Sequence, residues 1–291
     1  MPVLYSYTAM IPSILPSTGP IGVFDSGYGG LTILDKIRGL MPEYDYIYLG
    51  DSARCPYGPR SFEVVYEFTL QAVSKLFELG CPLVILACNT ASAKALRTIQ
   101  QINLPVIDAT RRVLGVIRPT AECIGEITRS RHVGILATAG TIKSESYLLE
   151  IHKLSPDIVV TGEACPMWVS LVENNEYQSE GADYFVKQHI NRLLDKDPMI
   201  DTIILGCTHY PLLRSTVREI MGEGVNLVNP AYETAVELRR LLSEQGIAND
   251  GKQGWGGKYQ FYVSDAAEKF MQFANSILPY DIEQTQLIPI E

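Results

Sequence analysis

Basic residues are in the minority in this sequence, and they form no extended cluster. Lys and Arg together number 24 against 33 Asp and Glu, which gives a formal net charge of −9. The longest basic runs are the pairs Arg111-Arg112 and Arg239-Arg240. Binding to nucleic acid or to an anionic membrane surface depends on clustered Lys and Arg, so we expect neither partner. An anionic small molecule would have to be held by backbone N–H groups and hydroxyls.

Cysteine is also sparse and widely spaced. The six cysteines form no CxxC pair, and no HxxxH spacing occurs. Zinc sites need closely spaced ligands, and small secreted folds need a dense disulfide framework. The sequence therefore predicts no metal site and a reduced, cytoplasmic setting.

Long apolar runs and nucleotide-binding fingerprints are missing as well. No stretch approaches the roughly 18–20 apolar residues of a membrane span, so we expect no membrane partner. Residues 1–20 lack the basic start of a secretory signal, and we interpret them as an extended, partly ordered arm. Neither a GxGxxG fingerprint nor a P-loop occurs in the sequence.

Aliphatic runs alternate with segments of helical periodicity along the rest of the chain. This alternation is typical of α/β proteins, in which helices flank mostly parallel sheets. The strands are predicted at 21–24, 46–49, 83–87, 106–108, 132–137, 157–161, 202–205, 225–228 and 259–263. The helices are predicted at 30–40, 61–79, 90–103, 144–152, 181–194, 212–221, 231–243 and 266–277, with a glycine-rich loop at 251–257.

Two short strings look like versions of each other. Ile-Leu-Ala-Cys-Asn-Thr ends at Thr90, and Ile-Leu-Gly-Cys-Thr-His ends at His209. The repetition indicates an ancient duplication with one α/β lobe in each half. We expect a first lobe of residues 21–112 plus 228–291 and a second lobe of residues 113–227, with the active site in the cleft between them.

Each string places a cysteine at the end of a predicted strand. Open α/β sheets bind ligands at the carboxyl ends of their strands, so Cys88 and Cys207 are candidates for an acid/base pair of facing thiols. A helix start lowers the pKa of a nearby thiol, which would favour a thiolate. A lone cysteine is more often a small buried hydrophobe, and we interpret the remaining cysteines in that way: Cys55, Cys81, Cys123 and Cys165.

Further polar residues follow other predicted strands. Asp25 and Ser26 open a glycine-rich turn, and Thr138 and Thr141 flank a second turn. The loop Pro56-Tyr57-Gly58 follows the second strand, where its backbone could contact a ligand. Each of these features alone also fits an ordinary helix cap or turn.

Taken together, these motifs resemble one family. Asp25-Ser26-Gly27, the loop from Asp51 to Gly58, Cys88-Asn89-Thr90 and the segment from Gly206 to Pro211 occur in this order. Over about Ile21 to Ile277, the set is similar to that of the glutamate racemases, within the cofactor-independent aspartate/glutamate racemase superfamily. The resemblance implies two pseudo-symmetric α/β domains and a homodimer. It also implies interconversion of L- and D-glutamate without a cofactor, with the D-isomer supplied to peptidoglycan synthesis in the bacterial cytoplasm.

The resemblance also implies roles for individual residues. Cys88 would take the α-proton from D-glutamate with Asp25 as its helper, and Cys207 would take it from L-glutamate with His209 and Glu173 as helpers. The implied substrate contacts are Asp25, Ser26, Pro56, Tyr57, Gly58, Asn89, Thr90, Thr138, Thr141, Thr208 and His209. Tyr28, Cys55 and Ser170 depart from the family pattern, and Ser170 stands where a proline usually leads to Glu173.

Other functions remain open at this level. A racemase of aspartate or another amino acid would share the two thiols, although His209 favours glutamate. A non-catalytic, two-lobed amino-acid-binding protein would need no thiols at its strand ends. A thiol redox or metal protein would contain a Cys88–Cys207 disulfide or zinc.

Overall fold

The computed structural model describes residues 19–244 and 257–290. Of the predicted arm, residues 1–18 lie outside the described residues, as do residues 251–256 of the predicted glycine-rich loop.

Strands and helices alternate along the described chain. The strands are β1 (Ile21–Asp25), β2 (Tyr46–Gly50), β3 (Leu83–Leu86), β4 (Arg112–Gly115), β5 (His132–Ala137), β6 (Val159–Ala164), β7 (Thr202–Gly206), β8 (Asn226–Val228), β9 (Tyr259–Val263) and β10 (Gln286–Leu287). The helices are α1 (Leu31–Leu40), α2 (Phe62–Glu78), α3 (Asn89–Lys94), α4 (Leu96–Thr98), α5 (Leu104–Ile107), α6 (Ile117–Ile127), α7 (Ala139–Lys143), α8 (Ser146–Leu154), α9 (Trp168–Glu173), α10 (Glu180–Lys196), α11 (Arg214–Met221), α12 (Pro230–Glu244) and α13 (Ala267–Ile277). A π-helical segment spans Ile99–Asn103, and a 3₁₀ turn spans Tyr210–Leu213.

The strands form two parallel sheets flanked by helices, which confirms the predicted α/β class. The larger sheet has the order β10-β9-β2-β1-β3-β4, and the smaller has the order β6-β5-β7-β8. Every residue of β1, β2, β3 and β7 is buried. Strands covered on both faces read as continuous apolar runs, which is why these four were recognisable in the sequence.

The carboxyl-terminal segment returns to the larger sheet. Strand β9 pairs in parallel with β2 along its whole length, and α12 packs against both α1 and α6. We propose the two-lobe division of the chain with two adjustments. Val228 pairs with Ile204 in the smaller sheet, so the chain returns to the first lobe after Val228 rather than at it. Because β4 pairs with β3 in the larger sheet, the chain passes to the second lobe after Gly115 rather than after Arg112.

The predicted strand at 106–108 is wrong, because this segment belongs to helix α5. Pro105 fits the first turn of a helix, and Val106 is 84% exposed, so this apolar run is not a buried strand. The strand that follows is β4, a few residues later. Helices α6, α7 and α9 and the short strand β10 were not predicted. No helix in the described ranges combines the length and apolar character needed to cross a bilayer.

Candidate active site

The carboxyl ends of strands from both sheets meet at one cavity of about 190 Å³. Residues that follow β1, β3, β5, β6 and β7 line it. Twelve of the predicted site residues are in the lining: Ser26, Pro56, Tyr57, Gly58, Cys88, Asn89, Thr90, Thr138, Glu173, Cys207, Thr208 and His209. Asp25 and Thr141 lie behind this lining and contact it.

Cys88 follows β3 and caps the start of α3. Its thiol donates to Ser26 Oγ at 3.3 Å and accepts the backbone N–H of Ala91 at 3.5 Å. The residue is 6% exposed. The thiol therefore lies at the cavity wall with a fixed orientation.

The helix start does not lower the pKa of Cys88, contrary to expectation. Burial raises this pKa to about 12, and the negative charge of Asp25 adds to the effect. The hydrogen bonds with Ser26 and Ala91 act in the opposite direction but are weaker. Cys88 is consequently a neutral thiol near pH 7.

Cys207 follows β7 and lies in a different environment. Its sulfur is 3.8 Å from Nδ1 of His209, and Nε2 of the same ring is 3.1 Å from Oε1 of Glu173. Cys207 and His209 are 7% and 4% exposed. The three side chains form a row of sulfur, imidazole and carboxylate, in which Cys207 and His209 are buried and Glu173 is partly exposed.

His209 carries the positive charge of this row. Burial alone would lower the pKa of His209, but its hydrogen bonds to Cys207 and Glu173 outweigh burial and raise the pKa to about 10. The ring is therefore an imidazolium near pH 7. One thiol of the cavity thus has a cation beside it, while the other has a buried carboxylate nearby.

Asp25 lies beneath the cavity floor and is fully buried. Its Oδ2 accepts the backbone N–H of Gly27 at 3.0 Å, and its Oδ1 accepts the Thr208 hydroxyl at 3.4 Å. Burial raises the pKa of Asp25, and the charge of His209 partly offsets this. Asp25 acts on Cys88 through its charge and ties the turn after β1 to the residue after Cys207.

Three threonine hydroxyls from the two lobes meet at one side of the cavity. Thr90 Oγ1 is 2.9 Å from Thr138 Oγ1 and 3.3 Å from Thr141 Oγ1, and the latter two are 3.1 Å apart. The cluster supplies several O–H donors at a junction between lobes. A carboxylate can be held there without a lysine or arginine, and neither residue type is among those that line the cavity of the described chain.

Asn89 offers a further donor. The residue is 3% exposed and lines the cavity. Its Oδ1 accepts the Tyr147 hydroxyl at 2.6 Å, whereas its buried Nδ2 has no hydrogen-bond partner among the described residues. Buried polar groups are normally paired, so the free amide N–H₂ group marks a position for an acceptor on a ligand.

The loop Pro56-Tyr57-Gly58 closes another side of the cavity. The Tyr57 hydroxyl donates to Asp51 Oδ2 at 2.5 Å, and Arg54 Nε donates to the same oxygen at 2.7 Å. Tyr57 therefore presents its ring and backbone to the cavity, while its hydroxyl anchors the loop. A side chain at Gly58 would press on Thr138, because an added Cβ would lie 3.0 Å from the Thr138 Cβ.

Two cysteines predicted to be structural also line the cavity. Cys55 precedes Pro56, and Cys165 follows β6 directly. Cys165 occupies the same position at the end of a strand as Cys88 and Cys207, so the sequence could have identified it as a residue of the cavity. Cys165 is nonetheless fully buried, as a core residue would be. The unpredicted helix α9 supplies Val169 and Ser170 to the same wall.

Gly29 is required for the packing of the Cys207 side of the site. An added Cβ would contact the Thr208 hydroxyl and lie 2.5 Å from Nδ1 of His209. We expect Gly29→Ala to lower the free energy of unfolding by about 1–3 kcal/mol and to reduce activity by displacing His209. Thermal unfolding and activity measurements would show this.

Gly39→Ala is the matched control for that substitution. Gly39 lies in α1 with no atom within 4 Å of an added Cβ, and Ala in a helix is more stable than Gly by about 0.5–1 kcal/mol. Gly39→Ala should therefore stabilise the protein slightly and leave activity unchanged. Equal unfolding temperatures for the two variants would contradict the close packing of Gly29 against His209.

Within residues 19–244 and 257–290, no group of three or more His, Cys, Asp or Glu side chains is arranged to hold a metal ion. The expectation that the chain uses no metal or organic cofactor remains a prediction.

Comparisons with known proteins all indicate the same family. The profile described as Asp/Glu/Hydantoin racemase matches residues 32–238. A curated glutamate racemase of Oceanobacillus iheyensis is 40% identical over 258 residues, which cover 88% of this chain and 90% of that protein. A crystal structure of a glutamate racemase isoform from Bacillus anthracis superposes with a TM-score of 0.86 at 35% identity, covering 94% of this chain and 98% of that one. The structure of the Francisella tularensis glutamate racemase in complex with D-glutamate superposes with a TM-score of 0.84 at 32% identity, covering 94% and 99%.

Proposed function

The chain belongs to the Asp/Glu/hydantoin racemase family, and we propose that it interconverts L- and D-glutamate by a two-thiol mechanism without a cofactor. The observation that carries the proposal is the pair of sulfurs in one cavity, contributed by different sheets and held in different electrostatic environments. The names of the relatives support glutamate as the substrate.

The two environments assign complementary starting states to the sulfurs. Cys207 has the imidazolium of His209 beside its sulfur, so we assign to it the role of the base that accepts the α-proton of L-glutamate. Cys88 has a pKa raised to about 12 by burial and by Asp25, so it is the thiol that donates a proton to the opposite face of the α-carbon. One proton leaves carbon for Cys207, and another reaches carbon from Cys88.

The protonation states of the two sulfurs are then reversed. The Cys88 thiolate is a strong base because its pKa is high, which suits it to remove the α-proton of D-glutamate in the reverse reaction. A second conversion of L-glutamate requires that a proton move from Cys207 back to Cys88 through solvent. We assign supporting roles to Glu173 and His209. The Glu173 carboxylate stabilises the positive charge of the His209 ring, and this charge lies beside the Cys207 sulfur.

Removal of the α-proton leaves negative charge on the α-carbon and the adjacent carboxylate. Preorganised donors stabilise such charge where water is excluded. We propose that the threonine hydroxyls, the free Asn89 amide and backbone N–H groups of the Pro56–Gly58 loop hold the substrate carboxylates. The cavity volume of about 190 Å³ suits a ligand of amino-acid size.

A polarimetric assay tests the proposed activity. We expect the optical signal of pure L-glutamate and of pure D-glutamate to decay to zero with purified protein, because the two enantiomers are equal in energy. Added pyridoxal phosphate or a metal chelator should change neither rate. A protein that leaves both enantiomers unchanged, or that racemises aspartate in preference, would contradict the proposal.

We also propose that the enzyme supplies D-glutamate for peptidoglycan synthesis in the bacterial cytoplasm and that it acts as a homodimer. The support is the motif set shared with the glutamate racemases. An exposed apolar group near α5 gives the dimer a candidate contact, since Ile102, Val106 and Ile107 are 63%, 84% and 46% exposed. Analytical ultracentrifugation would test the dimer.

A further inference from the structure

Tyr147 is outside the cavity lining, yet its hydroxyl reaches a residue of the lining from the opposite lobe. It lies in α8 and is 2% exposed. Its hydroxyl donates to Oδ1 of Asn89 at 2.6 Å, while Asn89 follows Cys88 at the end of β3. The hydrogen bond thus joins the second lobe to the first directly beside a proposed catalytic thiol.

The geometry points to Tyr147 as a positioning residue that holds the Asn89 amide with its N–H₂ group toward the substrate. This inference rests on the proposed function, in which Asn89 contacts a carboxylate of glutamate. The two ends of an Asn amide differ in chemistry, because Oδ1 only accepts hydrogen bonds and Nδ2 only donates them. An acceptor turned toward a carboxylate would repel it.

The phenol selects one orientation of that amide. Burial raises the pKa of Tyr147, against a smaller opposing effect from a hydrogen bond with Thr120, so its O–H proton is retained across the working pH range. The donated hydrogen bond places Oδ1 on the Tyr147 side, and Nδ2 is then left buried without a partner. An unsatisfied buried donor is unfavourable, and a ligand carboxylate removes that penalty.

Tyr147→Phe tests the inference, because it removes only the hydroxyl. In the complex with substrate, Oδ1 of Asn89 would then be buried without a donor, whereas in the free enzyme the amide could rotate. We expect the KM for glutamate to rise about tenfold, consistent with the loss of one buried hydrogen bond, with a smaller change in kcat. Tyr46→Phe is the matched control, since its equally buried hydroxyl donates to the Met41 carbonyl at 2.7 Å, remote from the cavity lining.

A double-mutant cycle separates positioning from a general structural effect. If Tyr147 acts through Asn89, Tyr147→Phe should change kcat/KM less than about twofold in an Asn89→Ala background. An unchanged KM in Tyr147→Phe would overturn the inference, as would the same loss in both backgrounds. If Asn89→Ala proves inactive, the stabilisation of Tyr147→Phe and Tyr46→Phe by D-glutamate in thermal unfolding provides the comparison, and equal stabilisation would overturn the inference. Failure of the proposed function itself would appear separately, as an inactive wild-type protein.

Discussion

Replacement of either Cys88 or Cys207 by serine should lower kcat/KM for glutamate racemisation by at least about 10³-fold, within the range attributed to a positioned acid or base. A hydroxyl keeps the size and position of the thiol closely enough to preserve the fold. It is a far weaker acid than a thiol, so it can neither rest as the anion that accepts a proton nor release one readily to carbon. Racemisation in each variant would be measured from both enantiomers.

The loss should be the same in both directions for each variant. The equilibrium constant between enantiomers is unity, so the ratio of the forward and reverse kcat/KM values is fixed at one whatever residue is changed. Cys123→Ser is the control, because Cys123 lies on α6 and is not among the residues that line the cavity. Near-wild-type activity in Cys88→Ser or Cys207→Ser would contradict the pairing of the two thiols.

His209→Asn should give the second largest effect, a fall of about 10²-fold in kcat/KM, at the lower end of the range for acid–base groups. The substitution removes the cation beside the Cys207 sulfur and leaves Glu173 facing a neutral amide. Glu173→Gln should act in the same direction but more weakly, since it leaves the ring itself in place.

The pH dependence provides a sharper test of the same group. His209 has its pKa raised from an ordinary value near 6.5 to about 10, so the ring stays charged through neutral pH. Activity that depends on the imidazolium should persist below pH 10 and fall as the pH rises through that value. The loss of activity at alkaline pH that is due to this group should be missing from His209→Asn. A wild-type enzyme that loses activity near pH 6.5 as the pH is raised would contradict a charged His209 between Cys207 and Glu173.

The contribution of His209 to folding stability should also decrease as the pH rises. A group whose pKa is higher in the folded state stabilises the fold fully below its unfolded pKa, and this contribution declines as the pH rises toward the folded value. The difference in unfolding temperature between wild type and His209→Asn should therefore be largest near pH 6 and should shrink toward pH 10.

Local sequence patterns predicted the parts of the fold that depend on local chemistry. Buried strands such as β1 and β7 read as aliphatic runs, and the polar residues directly after them were found because strand ends meet at one edge of a sheet. The strand predicted at 106–108 was wrong because a short apolar run cannot by itself be assigned to strand or helix.

The features that sequence could not give depend on contacts between distant segments. The hydrogen bond between Tyr147 and Asn89 joins two lobes, and no local sequence pattern near either residue predicts it. The pKa of Cys88 was expected to be lowered from its place at a helix start, whereas burial and Asp25 raise it. The hydrogen bond depends on which groups the folded chain brings together, and the raised pKa of Cys88 depends also on how much water the fold excludes.

The most direct test of the two-thiol mechanism is the fate of the α-hydrogen in D₂O during the early course of the reaction. If two different groups act on opposite faces, D-glutamate formed from L-glutamate should carry deuterium at the α-carbon while the remaining L-glutamate stays unlabelled, and the converse should hold from D-glutamate. Mass spectrometry of the separated enantiomers would show this. Deuterium entering the starting enantiomer as fast as the product forms, or a product that keeps its original hydrogen, would contradict a pair of thiols acting from opposite sides.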